Sequence, residues 1–369
     1  MASSGNAPSS ETPAGGPKPA PAGAVGTARS AADRRVVHTL EQVAAVAGVS
    51  KSTVSRVVNG SPGVSRRAQE VVRGAIARTG YMPNPAARTL VTRRAGSIAL
   101  VVSEAEGRVF SDPFFASMVR GANAVLRERN MHLVLMLAED DRSRQQVLDY
   151  LRNGHVDGGL LISTHVQDPL PRMLTAQRLP VVLSARPADP VPISYVDVDS
   201  VAGAGLAVDH LADRGCRVVA TIAGPQDMPA GQDRLAGYRA ALRRRGLPVR
   251  HTLVGYGNFD RMSGARATEG LLDRQVRFDG LFVASDLMAL GALAVLVERR
   301  IRVPEDVAVV GFDDSVAAQE ARPALTTVRQ PVEEMGRALT LTLLERIADP
   351  AGPVTARIFR PELVVRDSA

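Results

Sequence analysis

The sequence predicts an α/β protein in which a small helical headpiece precedes a body of two parallel-sheet subdomains. Three observations carry this. Residues 39–59, TLEQVAAVAGVSKSTVSRVVN, place apolar side chains at helical spacing on both sides of Gly48. From Gly96 onward, short fully apolar runs alternate with amphipathic stretches, the pattern of strands buried on both faces. That second part is about 270 residues long, more than one open sheet comfortably holds, so two subdomains with a cleft between them are expected.

Residues 1–35 are mostly Ala, Gly, Pro and Ser with little to bury, which is the composition of a disordered tail. A headpiece at 36–82 follows. Leu40, Val43, Ala44 and Ala47 line one helix, and Thr39 with Gln42 forms a capping box at its start. Gly48 supplies the turn. Ser50 caps a second helix with Val54, Val57 and Val58 inward, and its outer side is Lys51, Ser52, Thr53, Ser55, Arg56 and Asn59. Such a short, polar, basic face suits phosphates and base edges, so the pair reads as a helix-turn-helix. Ser65 starts a third helix with Ala68, Val71, Val72 and Ala75 on one face.

Residues 83–95 are expected to be a hinge and linker. Asn84 and Pro85 are good starting residues for a helix of two turns, too short to be stable alone. In the core, strands are expected at 98–102, 133–137, 159–162, 181–183, 218–222, 252–254, 281–283 and 307–311. Helices are expected at 114–129, 144–151, 201–214, 235–245, 263–272 and 287–299. Ligands of such folds bind at the C-terminal ends of the strands.

Charge separates the two parts. The net charge is +7, yet residues 1–95 hold 13 Lys+Arg against 4 Asp+Glu, while the remainder is slightly acidic. A basic head on a near-neutral body points to a polyanion-binding module. Cys216 stands alone, which excludes a disulfide framework and a cysteine-built metal site and fits a reducing cytoplasm. No apolar run approaches the roughly 18 residues of a membrane span, and the first 30 residues lack the apolar core of a signal peptide. An enzyme is not expected. Gly203 and Gly205 give half a dinucleotide fingerprint, but Val208 stands where the third glycine belongs, and close helix packing explains the pair better. His38, His132, His155, His165, His210 and His251 are scattered and read as surface or core residues.

The runs AGVSKSTVSRVVNG at 47–60 and YMPNPAARTL at 81–90 resemble the lactose-repressor (LacI/GalR) family of bacterial transcription regulators. So do DPFF at 112–115, VDGGLLIS at 156–163, AGP at 223–225 and RLAGYRAAL at 234–242. SDLMALGAL at 285–293, VPEDVAVVGFDD at 303–314 and PALTTVRQPVEEMG at 323–336 complete the likeness, which spans about 37–366. It implies two Rossmann-like subdomains of periplasmic-binding-protein type within 96–366, about 96–197 with 328–346 and 198–327 with 347–366. By the same resemblance Lys51, Ser52 and Arg56 read bases, while Thr53, Ser55 and Asn59 mainly fix phosphates. Leu90, with Ala87 beside it, falls where the family wedges a leucine between base pairs.

In the core the resemblance places effector contacts at Arg234, Asp313, Phe259 and Ser285, the last replacing a frequent Asn or Thr, with Phe114 or Phe115 on the opposite lip. Asp286 is expected to cap the helix from 287. Where relatives often carry Asp-Arg, this chain has Ala185-Arg186, so Arg186 is expected to contact the effector instead. The implied function is a cytoplasmic, nucleoid-associated repressor without catalytic, metal or cofactor sites. It would bind double-stranded palindromic operator DNA as a homodimer and leave it when a sugar binds, such as a cello-, xylo- or malto-oligosaccharide. A purine corepressor is the alternative effector; a sugar carrier or a nucleotide-dependent enzyme is the alternative class. No leucine heptad follows the core up to Ala369, so a tetramer built on one is not expected.

Overall fold

The computed structural model describes residues 39–58, 62–82, 94–188 and 190–369, and the chain divides at 84/85 into two compact units. The first is helical: α1 (Leu40–Ala47), α2 (Lys51–Val58) and α3 (Arg66–Thr79). The capping box at Thr39 is formed, its backbone N–H donating to Gln42 Oε1 at 2.9 Å and its hydroxyl accepting from Gln42 N at 3.4 Å. Gly48 closes α1 at φ 64°, the left-handed region where glycine alone carries no Cβ penalty. Val43, Val54, Val72 and Ala75 are fully buried at the centre. Val71, expected on the inner face of α3, is exposed. The buried set Val72 and Ala75, with Ile76 partly buried beside them, follows the helical repeat, and Val71 falls one residue off it.

The core holds two six-stranded sheets. Its elements run β1 (Ser97–Val102), α4 (Glu106–Ser111), α5 (Pro113–Arg127), β2 (His132–Leu137), α6 (Asp141–Arg152), β3 (Gly159–Ile162), α7 (Leu170–Ala176), β4 (Val181–Ser184) and β5 (Ser194–Val198). They continue with α8 (Ser200–Asp213), β6 (Val219–Ala223), α9 (Pro229–Arg244), β7 (Val254–Tyr256), α10 (Arg261–Asp273), β8 (Gly280–Val283), α11 (Asp286–Glu298), β9 (Ala308–Asp313) and α12 (Val316–Glu320). Last come β10 (Thr326–Arg329), α13 (Val332–Ala348), β11 (Ala356–Phe359) and β12 (Glu362–Val364).

The first sheet is ordered β11-β5-β4-β3-β1-β2 and is parallel throughout. The second is ordered β12-β10-β9-β8-β6-β7 and is parallel except for β12, which runs antiparallel to β10. The chain therefore crosses between subdomains three times: after Val198, around Gln330, and between Phe359 and Glu362. This moves the expected boundaries. β10 extends the second sheet to Arg329, and residues 347–359 stay with the first subdomain because β11 pairs with β5. Only the last ten residues return. Strands β5 and β10–β12 escaped sequence reading because they are short and Thr, Asp, Arg or Glu interrupts their apolar residues.

Helix α13 is held to the first subdomain by close packing on α5. A Cβ added at Gly121 would lie 2.0 Å from the Glu333 carbonyl oxygen, and one at Gly336 would lie 2.6 Å from that of Met118, so the two backbones touch where only glycine fits. Gly203 has the same explanation. Its Cβ would sit 2.7 Å from the Phe312 ring, which accounts for Gly203 by packing rather than by nucleotide binding, whereas a Cβ at Gly205 would meet only Arg244 Nη2 at 3.7 Å.

Candidate functional site

In the headpiece, the buried side of α2 is anchored by Val54, which leaves Lys51, Ser52 and Arg56 exposed and Thr53 and Ser55 half-buried on the outer side. Ser50 caps the helix by accepting from Thr53 N at 3.1 Å, and its hydroxyl also lies 2.8 Å from those of Ser52 and Thr53. Lys51 is paired with Glu41 of α1, and this hydrogen bond holds the Glu41 carboxyl down at about 2. With three donors on the ammonium, Lys51 keeps N–H groups for an approaching phosphate. Asn59, Ala87, Leu90 and nearly all of the expected hinge lie outside the described residues.

In the core, a cleft enclosing about 710 Å³ of space free of protein atoms, part of it open to solvent, lies between the two subdomains at the carboxyl ends of their parallel strands. From the first subdomain it is lined by Arg108, Asp112 and Phe114 beyond β1, by Ser163 and Thr164 after β3, by Ser184 and Ala185 after β4, and by Asp197 on β5. From the second come Met228 and Pro229 after β6, Phe259 after β7, Ser285 after β8 and Asp313 at the end of β9, with Gln330 at a crossover. Four of these non-glycine residues have positive φ: Ser163 at 57°, Ala185 at 130°, Phe259 at 57° and Asp313 at 121°. Such strain costs of order 1–3 kcal/mol per residue and persists where the surroundings over-determine it, typically at ligand sites.

One buried cation organises the polar lining. Arg234 is 5% exposed. Its Nη1 donates to the Ala284 carbonyl at 2.5 Å and lies 3.4 Å from Asp313 Oδ1, while its guanidinium stacks 3.7 Å over the Phe312 ring and 5.4 Å from that of Phe259. Its Nε is buried without a partner. Burial draws the guanidinium pKa down, against the pull of Asp313, Asp286 and Asp112. Burial also pushes the carboxyls of Asp112 and Asp197 up and that of Asp313 well up, the last despite the charge of Arg234. A guanidinium with an unbonded N–H beside Asp313, in a cleft also lined by Asp112, Asp197, Phe114 and Phe259, matches a neutral polyhydroxylated ring. Its hydroxyls donate to the acids, its oxygens accept from arginine, and its C–H faces lie on the aromatics.

Of the sequence candidates, Arg234, Asp313, Phe259, Ser285 and Phe114 come together here. Phe115 does not. It is 3% exposed in the first subdomain's core, edge-on to Phe114 at 5.4 Å, because adjacent helical residues face about 100° apart. Arg186 also stands aside: its guanidinium binds Asp233 at 2.8 and 3.0 Å, and only its backbone N–H reaches toward the site, donating to Asp197 at 3.0 Å. Ser285, not Asp286, caps α11, accepting from Met288 N. Asp286 is fully buried beside it, accepting from Thr327 Oγ1 at 2.6 Å and Ser315 N at 2.7 Å, and burial pushes its carboxyl up to about 7. Sequence reading missed Arg108, Asp112, Asp197 and Gln330. Asp112 was visible as the start of DPFF, where its carboxylate caps α5 through Phe114 N at 2.9 Å; the others carry no local signal. Among the described residues no group of three His, Cys, Asp or Glu is placed to hold a metal ion, and no helix is long and apolar enough to cross a membrane.

Two family descriptions match the chain: "Bacterial regulatory proteins, lacI family" over residues 39–84, and "Periplasmic binding protein-like domain" over residues 208–369. The chain is 48% identical over 339 residues to the HTH-type transcriptional regulator CelR of Thermobifida fusca, covering 91% of this chain and 99% of that protein. It is 34% identical over 336 residues to the ribose operon repressor of Escherichia coli, covering 90% and 99%. Among solved structures, a transcriptional regulator CelR–cellobiose complex is similar at 45% identity and TM-score 0.72, with 90% of this chain and 100% of that one covered. The lac repressor dimer bound to operator and the anti-inducer ONPF is similar at 27% identity and TM-score 0.79, covering 90% and 99%.

Proposed function

The chain belongs to the lacI family of bacterial regulatory proteins and is a DNA-binding regulator of transcription rather than an enzyme; from that premise we propose that a β-linked glucose disaccharide such as cellobiose, held in the core cavity, releases it from a twofold-symmetric operator. The observation that carries this is the buried Arg234, its Nε unpartnered, facing Asp313 between aromatic rings in a cavity whose backbone is strained at four positions. The 45% identity to a transcriptional regulator CelR solved in complex with cellobiose, beside the 48% identity to CelR of Thermobifida fusca, supports the choice of sugar.

On the DNA side, Arg56 is the base-reading residue of greatest weight, because a guanidinium bonds two guanine acceptors at once. Lys51 and Ser52 read beside it, Thr53, Ser55 and Asn59 hold phosphates, and Leu90 with Ala87 enters the minor groove. One short helix reads only a half-site, so a homodimer matches a palindrome. The repressor acts on nucleoid DNA in the cytoplasm. Release needs only that the sugar bind the closed core more tightly than the DNA-competent form; a difference of a few kcal/mol suffices.

A fluorescence-anisotropy titration of an operator-like palindrome, repeated with gluco-, xylo- and malto-disaccharides and with purines, tests the proposal. Cellobiose is expected to lower operator affinity at least tenfold. Release by a purine alone, or tighter binding with sugar, would replace this reading with another effector or with corepression.

A further inference from the structure

Resting on the reading of the cavity as a sugar site, we propose that Arg108 contacts the effector directly, and that the chain Arg108–Glu104–His165–Asp227 behind it ties occupancy to closure of the cleft. Arg108 belongs to the first subdomain yet touches the second. Its guanidinium lies 5.4 Å from the Phe259 ring, and its Nη1 lies 3.8 Å from Met228 Sδ. The same Nη1 donates to Glu104 Oε1 at 2.6 Å, while Nε of this cavity-lining side chain is buried without an acceptor. A buried N–H left unbonded is costly, and an effector oxygen removes that cost. The fixed fork of the guanidinium lets Arg108 hold Glu104 and a ligand oxygen at the same time.

Glu104 passes the contact outward. Itself 8% exposed, it accepts from Ser163 Oγ at 2.8 Å and lies 3.6 Å from His165 Nε2. Burial pushes its carboxyl up, but His165, Arg108 and Ser163 outweigh that and leave it below its ordinary value, so it stays ionised. The other ring nitrogen of His165, Nδ1, is 2.7 Å from Asp227 Oδ2, across the cleft in the loop after β6. Beside it Val166 N donates to the Asp227 carbonyl at 2.7 Å, and Arg186 Nη2, which donates to both carboxylate oxygens of Asp233, straps the same rim. The charges alternate in sign along the chain, so each link favours the next. Opening the cleft separates His165 from Asp227 and Arg108 from Phe259 together.

The test uses the full chain in a Cys216→Ser background with spin labels at Gln177→Cys and Arg243→Cys, exposed positions on the first and second subdomains. Inter-label distances are measured by pulsed electron resonance without and with cellobiose, and cellobiose binding is measured by calorimetry. His165→Gln and Asp227→Asn are expected to move the sugar-free distance distribution toward longer values and to weaken cellobiose at least fivefold. The double variant should be no worse than the weaker single one. Arg108→Gln is expected to weaken cellobiose at least tenfold. A sugar-free distance distribution that coincides with that of the wild type, with cellobiose affinity within twofold, in both latch variants overturns the latch, and unchanged affinity in Arg108→Gln overturns the contact. If the wild type binds no sugar of the panel, the Arg108 contact falls with the sugar reading, and the sugar-free distances still decide the latch.

Discussion

Replacing Arg234 by methionine keeps much of the side chain's bulk and removes the charge. Three interactions vanish: the 2.5 Å bond to the Ala284 carbonyl, the 3.4 Å pairing with Asp313, and the stacking over Phe312. Breaking a buried pair by removing one partner costs about 3–5 kcal/mol, because the remaining charge is left uncompensated. Asp313 softens this, since its carboxyl is already raised well above its ordinary range by burial and can take up a proton, with the Gln330 amide still donating to it at 2.6 Å. A native-state carboxyl pKa raised above its unfolded value means the folded protein binds more protons, so stability falls as pH rises. The variant's loss should therefore be larger at pH 8 than at pH 5. For the effector, losing a charge-assisted hydrogen bond of about 1.5–3 kcal/mol weakens binding roughly 10- to 150-fold. Urea melts followed by circular dichroism at both pH values measure the first effect, and calorimetry with cellobiose measures the second. A folded Arg234→Met protein that binds cellobiose within threefold of wild type would refute the assignment, and a loss of stability equal at pH 5 and pH 8 would refute the role given to Asp313.

Three further outcomes are expected. Phe115→Ala should destabilise the core by about 3–5 kcal/mol in a denaturant melt while sparing the cellobiose affinity of folded protein, whereas Phe114→Ala should do the reverse; equal effects would contradict their separation into core and cavity. Arg56→Ala should weaken a specific operator by about 1–3 kcal/mol in anisotropy and relax preference at one base pair per half-site, so uniform weakening across sequences would reduce Arg56 to a phosphate contact. Cellobiose affinity should fall at alkaline pH, because Glu104 3.6 Å away and then Asp227 hold the His165 pKa up at about 9 in the closed cleft, against burial, from an ordinary 6.5. Glu104 lies on the same subdomain as His165 and keeps its share of that rise whether the cleft is open or closed, so only the Asp227 share couples protonation to closure, and it is lost as pH rises through about 9; calorimetry from pH 6 to 10 on wild type and His165→Gln should show the slope only in the wild type.

Local chemistry decided much of this protein from its sequence. The capping box at Thr39, the left-handed turn at Gly48 and the buried Val54 depend on neighbours within a few residues, so the polar face of Lys51, Ser52 and Arg56 was legible in order and in orientation. The apolar strands of the two sheets were legible for the same reason, and the resemblance carried Arg234, Asp313 and Phe259 to the cavity. Tertiary structure decided the rest. Whether Phe114 or Phe115 faces the cleft depends on the rotation of one helix against its sheet, and that rotation is set by the glycine contact between α5 and α13, more than 200 residues apart in sequence. The Arg186 guanidinium pairs with Asp233 because that carboxylate, on the other subdomain, lies within reach. Arg108, Glu104, His165 and Asp227 had no shared signal at all, being spread over more than 120 residues and both subdomains. Their pairing exists only when two parallel sheets bring their carboxyl ends face to face.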